Sequence, residues 1–136
     1  MAESHLNSAL VVVDASAVVG ALRHDGLARK RLKGRSLFAP HLLDLEVANA
    51  LRREARAGRL AGEQGALLLR ALRSLGVTRY PTFGLAERIW ELRDNLTAYD
   101  ASYVAVAEAL ECSLLTADAA IAAAPGLRCP VEFVNV

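Results

Sequence analysis

Apolar and polar positions along this chain switch repeatedly between a strand period and a helix period. Ala9–Val13 is an unbroken apolar run ending in three valines, the pattern of a strand buried on both faces. Beyond it, Asp14-Ala-Ser leads into a helical stretch to about Leu22, with Asp14 or Ser16 placed to cap it. Gly26 interrupts, and Leu27–Lys33 reads as a short basic helix stopped by Gly34. Ser36–Ala39 is a second strand candidate. Pro40 is expected in the first turn of a helix, where its missing N–H costs nothing. Leu42, Leu45, Val47, Ala48 and Leu51 then recur at helical spacing to about Ala57, with Gly58 as the stop. Ala61–Leu75 forms another helix, with Leu67, Leu68, Ala71, Leu72 and Leu75 as its apolar stripe and Gly76 as its terminator.

The alternation continues to the end of the chain. Val77–Tyr80 reads as a strand, and Thr82 as the cap of a helix that buries Leu85, Ile89, Leu92 and Leu96. Thr97-Ala-Tyr-Asp100 has the spacing of a helix start with the acid at the third helical position. That helix carries Val104, Ala107, Ala109 and Leu110 to about Glu111. Ser113–Thr116 is a short buried strand, Asp118 begins a small helix ending before Pro125, and Val131–Val134 is a last strand. Five short strands interleaved with helices imply an α/β fold with a central, mostly parallel sheet flanked by helices. Residues 1–8 read as a loose N-terminal tail and residues 9–136 as one domain, since no repeat, low-complexity segment or linker divides them.

Composition narrows the chemistry. Of 136 residues, 54% are apolar but only 5% aromatic, so the core is aliphatic. No apolar run approaches the ~20 residues that span a bilayer, and Met-Ala-Glu-Ser-His lacks the start of a signal peptide, so a cytoplasmic location is expected. Cys112 and Cys129 have no metal-ligand spacing and read as small, partly buried apolar residues. His5, His24 and His41 form no zinc motif. The net charge of +1 conceals an asymmetry, +6 over residues 1–80 and −5 over residues 81–136. Bases cluster at Arg29, Lys30, Arg31, Lys33 and Arg35, and again at Arg52, Arg53, Arg56 and Arg59. Such clusters either grip a phosphate backbone or form solvated helix faces.

The acids carry the sharper signal. Asp14, Glu46, Asp100 and Asp118 each fall at the end of a strand or near a helix start, where open α/β sheets place their sites. Taken singly, Asp14 and Asp118 could be N-caps, Asp100 a residue favoured by a helix dipole, and Glu46 a surface acid paired with Arg53. Gathered together, they would repel unless a hard cation neutralised them. Glu46 is preferred over Asp44 because spacings of three and four put Glu46, Asn49 and Arg53 on one helix face. Tyr99 and Tyr103, on either side of Asp100, are expected as core or rim packing, and Trp90 as a half-buried surface residue.

The stretches Val12-Val-Asp-Ala-Ser-Ala, Pro40-His-Leu-Leu-Asp-Leu-Glu-Val-Ala-Asn-Ala-Leu, Leu96-Thr-Ala-Tyr-Asp-Ala-Ser-Tyr-Val-Ala and Leu114-Leu-Thr-Ala-Asp resemble the PIN-domain ribonucleases, in particular the VapC-type toxins of toxin–antitoxin pairs. The resemblance covers nearly the whole chain, in the family's order and spacing. It implies a PIN-like fold and a Mg²⁺- or Mn²⁺-dependent endoribonuclease. Asp14, Glu46, Asp100 and Asp118 would be the catalytic, metal-binding acids, with Ser16, Asn49 and Thr116 as supporting polar residues. It also implies a structured RNA substrate (tRNA or rRNA), translation inhibited as the outcome, a small VapB-like antitoxin and a homodimer. The basic and apolar surface near Arg52–Leu60 is the expected antitoxin dock. Two rivals stand beside this reading. One is a PIN-like RNA-binding or interaction module without catalysis, which would be expected to lose acids. The other is a receiver- or phosphatase-like phosphoryl-transfer domain. That domain would want a second acid beside Asp14 or a late lysine, and the last 56 residues hold only Arg88, Arg93 and Arg128 as bases.

Overall fold

A computed structural model describes residues 8–136, so residues 1–7 of the expected tail lie outside the described residues. The chain runs β1 (Leu10–Val13), α1 (Ala15–Arg23), α2 (Leu27–Leu32), β2 (Ser36–Pro40), α3 (Leu43–Arg56), α4 (Gly62–Ser74) and β3 (Thr78–Tyr80). A 3-10 turn, Phe83–Leu85, leads into α5 (Ala86–Glu91), followed by α6 (Ala98–Ala109), β4 (Ser113–Thr116), α7 (Ala119–Ala122) and β5 (Val131–Phe133). The five strands form one sheet in the order β3-β2-β1-β4-β5, and every pairing is parallel. β1 is central, with Val12 opposite Phe38 of β2 and Leu114 of β4.

The core is aliphatic, as expected from the composition. Val11, Val12 and Val13 are fully buried, and so are Leu114 and Leu115. Helix α6 is the most enclosed: Ala101–Ala107 is buried throughout, against β1, β2 and β4. Small alanines on several of its faces let it lie close to the sheet. Helix α1 packs on β4 and gathers α2, α3 and α4 around it. Gly76 has φ of +68°, which fits its expected role as terminator of α4.

Several expectations fail locally. Pro40 ends β2, paired with Tyr80, and α3 begins only at Leu43; a proline that needs no N–H fits the end of a strand as well as a helix start. Leu67 is exposed because α4 packs chiefly on α3 and α1 among the described residues and shows them a narrower stripe, with Leu72 buried. Leu60, expected on an apolar surface, is buried. Ala109 faces solvent at the last turn of α6. Trp90 is more exposed than half-buried and carries Arg93 over its ring, 4.6 Å from the centroid.

Candidate active site

In a sheet of order 3-2-1-4-5 the chain leaves β1 toward β2 on one side, while β4 and β5 lie on the other. The carboxyl ends of β1 and β4 therefore flank the crevice where such sheets place their ligands. Asp14 follows β1 directly. Its N–H donates to the Leu115 carbonyl at 3.2 Å, and its Oδ1 accepts from the Ala17 N–H at 2.9 Å, capping α1. Asp118 lies beyond the end of β4, and its Oδ1 accepts from the Ala120 N–H at 2.8 Å, capping α7. Asp100 is the third residue of α6, its N–H donating to Thr97 Oγ1 at 3.1 Å. Glu46 comes from the first turn of α3. Capping explains where the aspartates stand; it does not use up both carboxylate oxygens of Asp118.

These four acids open onto one cavity of about 430 Å³, whose walls also include Ser16, Asn49, Arg23, Arg53 and Tyr103. Ser16 and Thr116 stitch its floor across the β1–β4 boundary. The Ser16 hydroxyl donates to Asp14 Oδ1 at 2.7 Å and accepts from the Ala117 N–H at 2.9 Å. The Thr116 hydroxyl donates to Asp14 Oδ2 and accepts from the Asp118 N–H at 2.9 Å. Asp14 is thus held by a serine, a threonine and a backbone amide while only 4% exposed. Thr116 itself is fully buried beneath the cavity.

The electrostatics are unfavourable as the protein stands. Burial pushes the Asp14 carboxyl above its ordinary value despite its three hydrogen-bond donors, and Asp118 adds repulsion. Glu46 is raised by burial first, then by Asp100 and Asp14, against a lowering hydrogen bond from Tyr103. Asp100 is raised by burial and by Asp118. Among the described residues, every ion pair involves other acids. Asp44, the competitor to Glu46, is turned away into a pair with Arg79, whose Nε lies 3.0 Å from its Oδ2.

An all-oxygen donor set of clustered carboxylates that, among the described residues, enters no ion pair fits a hard divalent ion. Among the described residues no trio of His, Cys, Asp or Glu forms a ready-made cage for a bare ion. A Mg²⁺-like ion that keeps several waters does not need one.

The structure separates the two basic clusters. Arg29 bonds the Ala21 carbonyl at 2.8 Å at the end of α1, and Arg31 and Arg35 pair with Glu132. Those three arginines serve the fold, and no member of that cluster lines the cavity. In the second, Arg59 pairs with Glu54, which also holds Arg23 at 3.3 Å. Arg53 borders the cavity, with Asn49 one turn before it on the same face of α3.

Tyr103 is the residue that the sequence reading placed only in packing. It is buried to 1% exposure, yet its hydroxyl donates to Glu46 Oε1 at 2.6 Å. The available signal was its spacing of three from Asp100, which puts both on one face of α6. Tyr99, expected in packing, is instead exposed.

Comparison with known proteins identifies the family of the chain. The PIN domain family model matches residues 11–127. VapC ribonuclease Mb0985 of Mycobacterium bovis is 51% identical over 125 residues, covering 92% of this chain and 98% of that protein. Ribonuclease VapC1 of Mycobacterium tuberculosis is 48% identical over 129 residues, covering 91% of this chain and 97% of that protein. The crystal structure of PAE2754 from Pyrobaculum aerophilum superposes with a TM-score of 0.70 at 30% identity, covering 93% of this chain and 85% of that one.

Proposed function

The chain belongs to the PIN-domain family, in its VapC branch, and on that premise we propose that it is a Mg²⁺- or Mn²⁺-dependent endoribonuclease acting as the toxin of a toxin–antitoxin pair. The observation that carries this reading is the convergence of four acids from four separate elements on one cavity, with none of them ion-paired to a protein cation among the described residues. Asp14, Asp100, Asp118 and Glu46 would hold the metal. When bound, the ion supplies charge neutralisation at the phosphodiester and activation of the attacking water.

The chain's own residues do the rest. Ser16, Thr116 and the Ala17 amide hold Asp14 in one orientation before substrate arrives, so little reorganisation is left for the reaction. Asn49 and Arg53 extend the cavity wall along α3 from Glu46. They offer an amide and a guanidinium to the RNA backbone beside the acids, where the carboxylates alone would repel phosphate. The substrate is a structured RNA, a tRNA or rRNA, whose cleavage arrests translation in the cytoplasm. A VapB-like antitoxin that covers this cavity would inhibit it. The exposed bases Arg52 and Arg56, on the helix that carries Glu46, offer surface for such a partner. A homodimer completes the reading.

The test is cleavage of total RNA by purified protein with Mg²⁺ or Mn²⁺, with chelator as control, and with Asp14→Asn and Asp100→Asn in parallel. Metal-dependent cleavage lost in both variants supports the nuclease. Cleavage by both variants at the parent rate overturns it, and RNA binding without cleavage favours a non-catalytic module.

A further inference from the structure

We propose that Tyr103 is a positioning residue for the acidic site: its hydroxyl fixes the Glu46 carboxylate toward the cavity so that Glu46 joins the other acids in holding the metal. This rests on the metal-site reading given under the proposed function, and it concerns a residue that reading does not use.

Three observations carry it. Tyr103 is among the largest fully buried side chains, so its ring is immobilised by packing in α6. Tyr103 carries that core to the cavity wall, where its hydroxyl donates to Glu46 Oε1 at 2.6 Å. The two residues come from different elements, 57 positions apart, so this bond sets the first turn of α3 against α6.

The other acids are fixed differently. Asp14 and Asp118 are N-caps whose backbone partners orient them, and Asp100 follows the Thr97 cap in the first turn of α6. Glu46 has a longer side chain and caps nothing. Without the tyrosine it would sample several rotamers on a half-open helix face. A phenol donor also suits the task. It offers a single proton to one carboxylate oxygen, leaving Oε2 for other contacts, and adds no positive charge to compete with a cation. A phenylalanine would fill the same space, so packing alone does not call for the hydroxyl.

Residues that orient metal ligands typically change affinity by about 10–100-fold when removed. The experiment is Mn²⁺ binding to the intact protein by calorimetry for the parent, Tyr103→Phe, Glu46→Gln and the double variant, with melting curves to verify folding. Tyr103→Phe is expected to weaken Mn²⁺ binding roughly tenfold, and to have no further effect once Glu46 is glutamine. Cleavage should show the same pattern, as a higher Mn²⁺ requirement.

Equal binding by the parent and Tyr103→Phe would overturn the positioning role while leaving the metal site intact. The same loss in both backgrounds would also overturn it, since the effect would then not pass through Glu46. A parent that takes up no Mn²⁺ would overturn the metal reading and the role of Tyr103 with it.

Discussion

Two regions of this molecule treat carboxylates in opposite ways. On β5, Glu132 is locked by Arg35 at 2.9 and 2.7 Å and by Arg31 at 3.2 Å. Its carboxyl is held below the ordinary range by Arg35, against the opposing effect of burial. At the carboxyl ends of β1 and β4, Asp14, Glu46 and Asp100 have no arginine partner and are held above it. A chain that pairs Asp44, Glu54, Glu108 and Glu132 with arginines can evidently supply counterions where the fold needs them. Arg23 and Arg53 reach the cavity wall, yet among the described residues neither forms an ion pair with the four acids, which marks a place where the counterion comes from outside.

The strongest way to break this contrast is to neutralise one cavity acid. Asp14→Asn keeps a side chain that can cap α1, so the fold should survive. RNA cleavage should drop by about 100-fold or more, measured as initial rate at saturating Mn²⁺. A variant within twofold of the parent would mean that the unpaired acids are not the reactive set.

Next in size is the basic wall. Arg53→Ala should weaken RNA binding several-fold and reduce the salt dependence of binding by roughly one counterion. Titrations at several salt concentrations would check this, and an unchanged slope would remove Arg53 from the RNA path.

The paired region should respond in stability and not in chemistry. Glu132→Gln leaves Arg35 and Arg31 without their charge partner, at a cost of about 1–2 kcal/mol. Melting curves should show a lower Tm, while cleavage per folded molecule stays at the parent level.

The smallest effect is in the pH dependence of the metal-free protein. Asp14, Glu46 and Asp100 bind protons more readily when folded. Their contribution to stability is full below the unfolded values of 3.8 and 4.5 and is lost as pH rises through their raised folded values. Asp44, Glu54 and Glu132 do the reverse: their contribution is present above 3.8 and 4.5 and is lost as pH falls through their lowered folded values. Tm should therefore rise modestly as pH falls from neutral through the raised folded values of the cavity acids, and drop once pH falls through the lowered folded values of the arginine-paired acids. Asp14→Asn should flatten the upper limb and leave the lower one.

The same contrast explains what the sequence disclosed. The strand at Leu10–Val13 and the caps at Asp14, Thr97 and Asp118 are local events, visible in valine runs and in the spacing of capping residues. The preference for Glu46 over Asp44 followed from helix phase and from the family resemblance, and the structure turns them to different surroundings. What stayed hidden depends on distant partners. The bases of α2 and its flank look free in sequence, yet Glu132, about a hundred residues away, holds Arg31 and Arg35. The Tyr103 hydroxyl meets an acid 57 positions earlier. Leu67 matches an apolar stripe, yet it is exposed among the described residues. The convergence of the four acids is likewise a product of strand order, which periodicity does not encode.

The most direct measurement is an anomalous difference map from crystals soaked in Mn²⁺. The account predicts a peak in the cavity bounded by Asp14, Glu46, Asp100 and Asp118, within reach of carboxylate oxygens and water. An empty cavity at a Mn²⁺ concentration that supports RNA cleavage, or a peak only at the arginine-paired acids such as Glu132, would contradict it.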